Sequence, residues 1–458
     1  MNKKIPQKEN KMGVMSTGKL LFSMAVPMML SMLVQAFYNI VDSVFVAKLS
    51  ENALTAVSLA FPLQNLMIAF GAGTAVGINA LLSKALGAKK QDEVDRTANV
   101  GIFMSLCCSL LFAVIGIFLS RPFFSIQTDI AEIIEHGTAY SSICLGLSVG
   151  IFSQFCFERL LQSTGRTFLA TVTQLIGAVI NIVLDPILIF GYLGFPAMGV
   201  KGAAIATVAG QIIAAIVAVI MNIKFNPDIH LRLKDIRWHK ETVLGIYKVG
   251  FPSIIMQSIG SIMTFGLNNI LMSFTKTATA VFGAYFKLQS FIFMPIFGLN
   301  NGMVPIVAFN YGAKKPDRVK STIRITIVSA VAIMLVGLLV FETMPQVLLS
   351  FFNASEEMLE IGVPALRIIA LAFAFAGFCI IAGSVCQAIG NPFYSLVVSV
   401  CRQLVVLLPA AWLLSKTGRL DLVWWAFPIA EICSLTLSAI FLAKTMKKAN
   451  KIMNEVSL

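Results

Sequence analysis

Long apolar stretches alternate with short polar loops along the whole chain. An apolar helix of about 20 residues, rising about 1.5 Å per residue, crosses the roughly 30 Å of hydrocarbon in a bilayer. In lipid, a helix satisfies its own backbone hydrogen bonds. The pattern therefore predicts an all-α integral membrane protein with twelve transmembrane helices. These predicted spans 1 to 12 cover residues 17–45, 54–83, 97–120, 138–163, 167–193, 202–223, 243–272, 279–307, 325–350, 361–388, 393–415 and 422–443.

Composition supports the same class. Of the 458 residues, 57% are hydrophobic and 12% are charged, and the mean hydropathy is +0.85, outside the range of soluble globular domains. The eight cysteines have no CxxC spacing, and the three histidines fall in loops. Neither residue type indicates a metal site. We expect no cofactor and no enzymatic activity, because no metal cluster and no Ser/His pair lies at membrane depth.

The net charge of +13 reflects where the basic residues lie. Most Lys and Arg fall at the two chain ends and in the loops after spans 2, 4, 6 and 8. The opposite loops hold only Lys48, Arg121, Lys201, Lys276, Lys416 and Arg419. By the positive-inside rule, both termini are expected in the cytoplasm, and anionic lipid head groups rather than nucleic acid are the expected contact. The first apolar stretch is too long for a signal-peptide core and is expected to stay attached.

The sequence repeats itself at one constant offset, the offset that brings Pro27 onto Pro252. The other matched residues include Gly73 and Gly77 with Gly298 and Gly302, and Gly87-Ala88-Lys89-Lys90 with Gly312-Ala313-Lys314-Lys315. This repeat predicts a first six-helix bundle at 1–225, a cytoplasmic linker at 226–240 and a second bundle at 241–458. Each bundle holds an even number of spans, so the two should be related by a pseudo-twofold axis along the membrane normal. A fused pair of repeats favours a carrier over a channel.

Acidic residues inside the spans are the main candidates for chemistry, because each costs roughly 2.5–3.5 kcal/mol at mid-bilayer unless it faces a cavity or a partner. Asp42 in span 1 and Asp185 in span 5 stand out among them. Two carboxylates in one poorly hydrated site hold a proton more tightly than carboxylates in water. Together with Asn181, their oxygens could instead hold a sodium ion. The other acids at membrane depth are Glu158, Glu342 and Glu431.

Polar residues at helical spacing form stripes along spans 1, 4 and 5, which predicts a shared interior in the first bundle. The stripes are Ser31, Gln35, Asn39 and Asp42; Gln154, Glu158 and Gln162; and Gln174, Asn181 and Asp185. The alternative is that the Gln and Asn members only join helices. Span 7 carries a neutral stripe that includes Gln257, so ion coupling is predicted in the first half. Arg159 cannot share a face with Glu158, and we expect it to pair with an acid on another helix.

Three further features bear on transport. Aromatic and Met side chains beside the stripes could line an adaptable cavity for an organic cation; they are Phe37, Phe155, Phe157 and Met294. Pro27 and Pro186 each remove a backbone donor and are candidate hinges, with a simple packing kink as the alternative. Residues 13–19 fit the start of a phosphate-binding loop, but Leu20 replaces the required Ser or Thr. Uphill transport would then draw on an ion gradient.

These residues together resemble the multidrug and toxin extrusion (MATE) family, in its DinF-like branch and MepA-like subgroup. The resemblance covers nearly the whole chain. Its marks are Pro27 and Asp42 in span 1, the Gln162 to Gly165 stretch, Asn181-x-x-x-Asp185-Pro186 in span 5 and the repeated Gly-Ala-Lys-Lys turn. It implies a V-shaped pair of bundles, an ion site formed by Asp42, Asn181 and Asp185, and bending of span 1 at Pro27.

The resemblance also implies a function. The expected protein is a secondary active antiporter of the bacterial cytoplasmic membrane, working as a monomer. It would export cationic drugs or dyes in exchange for protons or sodium by alternating access. The alternative is a lipid-linked precursor flippase of the same superfamily. Relatives in the NorM-like branch carry acidic residues on spans 7 and 10, and the predicted spans 7 and 10 of this chain contain none. A second departure is Glu158-Arg159, which stands where the family resemblance predicts a neutral Asn.

Overall fold

The computed structural model describes residues 10–352 and 354–454, and within these ranges the regular structure is entirely helical. The ends of the predicted bundles at 1–9 and 455–458 lie outside the described residues. The helices of the first half are α1 Lys11–Val14, α2 Thr17–Ala47, α3 Glu51–Gly87, α4 Gln91–Gln127, α5 Ala131–Gly146, α6 Val149–Ser163, α7 Thr167–Phe190 and α8 Val200–Phe225. Those of the second half are α9 Lys240–Met272, α10 Lys276–Gly312, α11 Pro316–Thr343, α12 Pro345–Ser350, α13 Glu356–Ala370, α14 Phe373–Ile389, α15 Pro392–Val400, α16 Leu408–Ser415, α17 Leu420–Val423 and α18 Ala426–Asn454.

The all-α membrane fold is confirmed. Among the described residues, ten stretches of helix are long and apolar enough to cross a bilayer in one piece, and counting each of two bent pairs as one span brings the number to twelve. The bent pairs are α5 with α6, at 42°, and α13 with α14, at 48°. They correspond to spans 4 and 10, which the sequence pattern predicts as continuous. At the first break the Ser148 hydroxyl donates to the carbonyl oxygen of Ser109 on α4, at 3.0 Å.

Spans 9, 10 and 11 of the second half differ from their predicted form. The predicted span 9 runs through Pro345, but α11 ends at Thr343 because the residue before a proline is pushed out of the helical region. Span 10 begins earlier, at Glu356, so exposed acids do lie in its first turns. Span 11 contains a π-helical turn at Cys401–Leu407, just before Pro409, which has no N–H to continue the regular ladder.

The helix boundaries repeat at the offset found in the sequence. Glu51 and Gly87, the ends of α3, are the repeat mates of Lys276 and Gly312, the ends of α10. Each of these helices is followed by a lysine in the left-handed region, Lys89 with φ 57° and Lys314 with φ 54°. In both turns the N–H of the next lysine donates to a carbonyl oxygen five positions earlier, as in a Schellman motif, at 3.0 Å and 2.9 Å. The two halves therefore share local geometry as well as sequence.

The halves contact each other reciprocally through α3 and α10, which also pack against α9 and α2 respectively. A Cβ on Gly87 would lie 1.9 Å from the carbonyl oxygen of Phe309, and a Cβ on Gly312 would lie 2.0 Å from that of Lys84. Lys84 and Phe309 are themselves repeat mates. Each half therefore uses the same surface to contact the other, so the interface is isologous, as around a twofold axis. The two glycines allow the backbones of α3 and α10 to touch. The interface lies on the membrane face that carries both termini, called here the terminal side.

The segment before α2 closes the terminal side of this interface. Asn10 donates to the carbonyl oxygen of Thr164 in the first half, at 3.0 Å. Asn310 and Arg318 of the second half donate to the carbonyl oxygen of Met12, at 3.1 Å and 3.0 Å. The Met12 side chain is fully buried. One short segment therefore joins both halves at the end where they are in contact.

Candidate ion and substrate site

A cleft that opens to solvent lies inside the first half, between α2, α6, α7 and α8, with about 550 Å³ of empty space when its opening is included. Its lining includes Gln35, Tyr38, Gln154, Phe155, Gln174 and Asn181. The wall between α7 and α8 is thin because Gly177 and Gly210 meet there: a Cβ on either would lie close to the other's carbonyl oxygen, at 3.1 Å and 2.7 Å. The polar stripes of spans 1, 4 and 5 therefore do face one interior.

The structure brings Asp42, Asp185 and Asn181 together next to this cleft. The two carboxyl groups interact directly, and a hydrogen bond between two carboxyl groups requires a proton on one of them. Asn181 Nδ2 lies 3.4 Å from Asp185 Oδ1 and 3.4 Å from the hydroxyl of Thr207. One side-chain oxygen of each of the three residues is buried without a hydrogen-bond partner. Such a cluster has oxygen lone pairs available for a proton or a small cation.

Glu158 is held very differently. It is 2% exposed, and its Oε1 accepts from Gln154 at 2.9 Å. The Thr173 hydroxyl lies 3.2 Å from the same oxygen, but it also donates to the carbonyl oxygen of Ala170 at 2.7 Å. Oε2 of Glu158 accepts from Gln174 Nε2 at 2.7 Å. The two amide donors stabilise the charged form of this carboxyl group, whereas burial opposes it. The hydroxyl of Ser31 in turn donates to Gln174, which links this network to α2.

Arg159 turns away from Glu158 toward the second half. Its Nη1 donates to Gln162 Oε1 at 2.8 Å and to Asn301 Oδ1 at 3.0 Å. The structure thus gives it amide partners where the sequence predicted an acid, because it faces the boundary with α10, where Asn301 lies. Glu158 consequently has neutral amides as hydrogen-bond donors, and Arg159 stays within electrostatic range of it.

Of the other candidate residues, some line the cleft and the rest lie on the surface, in the hydrophobic core or in the second half. Gln35 and Phe155 line the cleft, whereas Asn39 is exposed and Phe37 is 58% exposed. Phe157 belongs to a hydrophobic cluster with residues of α3, α4 and α9, away from the cleft. Met294 and Gln257 lie in the second half, on α10 and α9. Pro27 and Pro186 both lie inside unbroken helices, so their role as hinges stays a prediction.

Tyr38 is the cleft residue that the sequence analysis missed. It hydrogen-bonds with Gln35 and lies within electrostatic range of Asp42, Asp185 and Glu158. The available signal was its position one helical turn before Asp42. Thr207 and Gln211 on α8 also line the cleft, and their four-residue spacing, which puts them on one helical face, was the signal available in the sequence.

A repeated six-helix architecture with buried, partly unpartnered carboxyl groups beside a cleft defines a multi-pass membrane transporter. A family model described as MatE matches residues 27–187 and 252–413. The chain therefore belongs to the MATE family, as the sequence resemblance predicted. The two matched segments also begin at repeat mates, Pro27 and Pro252.

Individual relatives agree with this assignment. The chain is 26% identical over 413 residues to the multidrug export protein MepA of Staphylococcus saprophyticus, covering 90% of each chain. It is 27% identical over 442 residues to the probable multidrug resistance protein YoeA of Bacillus subtilis, covering 94% of each. Among solved structures, an outward-facing multidrug resistance MATE transporter of the MOP superfamily matches with a TM-score of 0.90 and 24% identity, over 97% of this chain and 99% of that one.

Proposed function

We propose that the protein is a secondary active multidrug antiporter, which exports lipophilic organic cations in exchange for protons or sodium. One observation carries this proposal: Asp42, Asp185 and Asn181 meet beside the cleft with buried oxygens that lack partners. Buried acids of this kind in a membrane protein are typical of ion pathways. The names of the MepA and YoeA relatives support the multidrug part.

The cleft has the chemistry to receive an organic cation. Its lining includes the aromatic rings of Tyr38 and Phe155, whose faces attract positive charge. When ionised, Glu158 would add a buried negative charge beside the cleft, next to the lining residues Gln154 and Gln174 to which it is bonded. Binding of a proton or sodium ion to Asp42 and Asp185 would lower the negative charge around the cleft. The driving ion and a cationic substrate would then oppose each other's binding, which is what exchange requires.

The proposal extends to location and direction. With the basic loops on the terminal side, that side faces the cytoplasm of a bacterial cytoplasmic membrane. The contacts of Gly87 and Gly312 and the bonds of the segment before α2 close this side. In this arrangement, ions would reach the cleft from outside, and substrates would be taken up from the cytoplasm only after those contacts separate. Transport by alternating access would follow from exchange between the two arrangements.

The decisive experiment is transport in proteoliposomes under separately imposed proton and sodium gradients. Asp42→Asn and Asp185→Asn keep the side-chain shape but remove the charge, and each is expected to abolish gradient-driven dye export while the protein stays folded. The matched control is Glu342→Gln, in the last turn of α11, which should export at the parent rate because water and head groups reach that position. Export at the parent rate by both Asp variants under either gradient would refute the ion site.

The same vesicles test the flippase alternative with a fluorescent lipid-linked sugar. A flippase for such anionic precursors needs free positive charge in its central cavity. Of the three basic candidates for such a cavity, Arg159 is already bonded to two amides and Arg402 lies 3.4 Å from Glu431, which leaves Lys287, an exposed residue of α10. We therefore expect dye export and no flipping. Flipping of the lipid-linked sugar without dye export would replace the proposed substrate class.

A further inference from the structure

The two halves differ at one pair of equivalent positions on the terminal side. Gly165 and Gly390 are repeat mates, and both adopt the left-handed conformation, with φ 85° and 96°. In the first half, the space beside Gly165 is occupied by side chains of the amino-terminal segment: a Cβ there would lie 3.2 Å from both Lys11 and Met12. In the second half, nothing lies within 4 Å of a Cβ on Gly390.

The course of the linker explains the difference. Because α9 is the repeat mate of α2, the residues before α9 would be expected to fill the space beside Gly390, as the residues before α2 fill the space beside Gly165. Instead the linker lies against the first half. The N–H of His230 donates to Asp95 Oδ1 at 2.9 Å, and that of Arg232 donates to Asn99 Oδ1 at 3.1 Å, both on α4. A cavity therefore stays open next to Gly390.

This cavity, called here the basic cavity, has about 420 Å³ of empty space when its opening to solvent is included. Its polar lining consists of Lys248 on α9, Tyr311 on α10, Asn391 between α14 and α15, and Lys448 on α18. The described residues that line it include no carboxylate. Both lysine side chains are exposed, so their ammonium groups can reach an anion at the mouth of the cavity.

A third lysine adds to the positive charge. Lys84 lies with its ammonium 5.2 Å from the centre of the Tyr311 ring, and it interacts electrostatically with Lys248. Glu93 also lies within electrostatic range of Lys84, but its carboxylate is bonded to Lys90 at 2.9 Å. The region thus keeps an excess of positive charge at the level where α10 ends, one residue after Tyr311.

We propose that the basic cavity binds a phosphate group, and that this phosphate belongs to an anionic phospholipid of the terminal-side leaflet. Two lysines supply charge, and the Tyr311 hydroxyl and the Asn391 amide supply neutral donors. Basic cavities between transmembrane helices at head-group level are suited to anionic lipid head groups. The lipid would join α9 and α10, which contact the first half, to α18 at the periphery. This inference is independent of the proposed exchange reaction, because no residue of the cleft takes part.

Binding to the full-length purified protein tests the proposal. Native mass spectrometry and thermal unfolding would compare phosphatidylglycerol, phosphatidylcholine and inorganic phosphate as separate additions. We expect phosphatidylglycerol to be retained and to raise the unfolding temperature, and phosphatidylcholine to do neither. The double variant Lys248→Gln/Lys448→Gln should bind phosphatidylglycerol roughly tenfold more weakly or worse. Lys248→Arg/Lys448→Arg keeps the charge and should keep most of the binding.

The matched control is Lys444→Gln/Lys447→Gln, which removes the same charge from residues of α18 that do not line the basic cavity. Equal loss of binding in this control and in the cavity variant would overturn the proposal, since it would indicate a diffuse surface effect. Stabilisation by inorganic phosphate as strong as that by the lipid would support a phosphate site but overturn the lipid as its source. If the double variant is unstable, the single variants are compared, each with an expected threefold to fourfold loss.

Discussion

Gly312→Ala is expected to shift the protein toward the state that is open on the terminal side. The added Cβ would lie 2.0 Å from the carbonyl oxygen of Lys84. Close carbon–oxygen contacts are about 3.3 Å, so α3 and α10 would have to move apart by more than about 1 Å. Overpacking of this kind costs roughly 1–3 kcal/mol. The cost applies only while the two helices are in contact.

A bias of about 1–3 kcal/mol changes the ratio of two states by about 5- to 150-fold. The shift can be measured as a distance distribution between spin labels at Lys89 and Lys314, in a cysteine-free background, by double electron–electron resonance. The variant should show a new population at longer distance. Gly87→Ala should act alike, because its Cβ would lie 1.9 Å from the carbonyl oxygen of Phe309.

The control for this prediction is Gly283→Ala, which lies in the same helix. Nothing lies within 4 Å of a Cβ at that position, and the substitution brings the same gain in helix propensity. Its distance distribution should match that of the parent. A folded Gly312→Ala variant with the parent distribution would show that the contact between α3 and α10 does not depend on the conformational state.

Two further predictions concern the charge of Lys11 and the orientation of the chain in the membrane. Burial and the charge of Arg166 lower the pKa of Lys11 from its usual value of 10.5. The folded protein therefore loses the ammonium proton of Lys11 at a lower pH than the unfolded chain does. Between the lowered pKa and 10.5, the free energy of unfolding should rise with pH. Lys11→Met should therefore raise the unfolding temperature in detergent at neutral pH, with a gain that shrinks toward alkaline pH, and a constant gain would contradict this cause. In intact cells, a membrane-impermeant thiol reagent should label a cysteine introduced near Lys48 but not one near Lys89, and the opposite result would invert the proposed orientation.

The number of spans and the repeat could be predicted because both depend on local sequence. Helix length and hydropathy are properties of each stretch alone, and the constant offset between the halves is visible without any contact. The convergence of Asp42 and Asp185 could also be anticipated, since polar stripes on neighbouring spans must face a shared interior to avoid lipid. The structure places both carboxyl groups in contact.

Features that depend on distant contacts could not be predicted. The break between α5 and α6 at Leu147 and Ser148 is flanked by Gly146 and Gly150, but glycines are common in membrane helices, and the partner of Ser148 lies on α4. The partner of Arg159 is 142 residues away, in the other half. The position of Phe157 in the sequence is compatible with a side chain that faces the cleft or one that faces the hydrophobic core. Its packing in the structure shows that it lies in the core. Periodicity indicates which residues share a face, but not which neighbour that face meets.

The reciprocal contact of Gly87 and Gly312 has a consequence for how such a chain can diverge. An isologous surface is complementary to itself, so a single six-helix chain that carried it could pair with an identical copy. In that homodimer every substitution would appear twice. Fusion of two copies removes this constraint, and each half can then acquire its own residues while the interface between α3 and α10 is kept. The result is visible here, because Arg402 and Glu431 in the second half occupy the positions of Gly177 and Ala206 in the first.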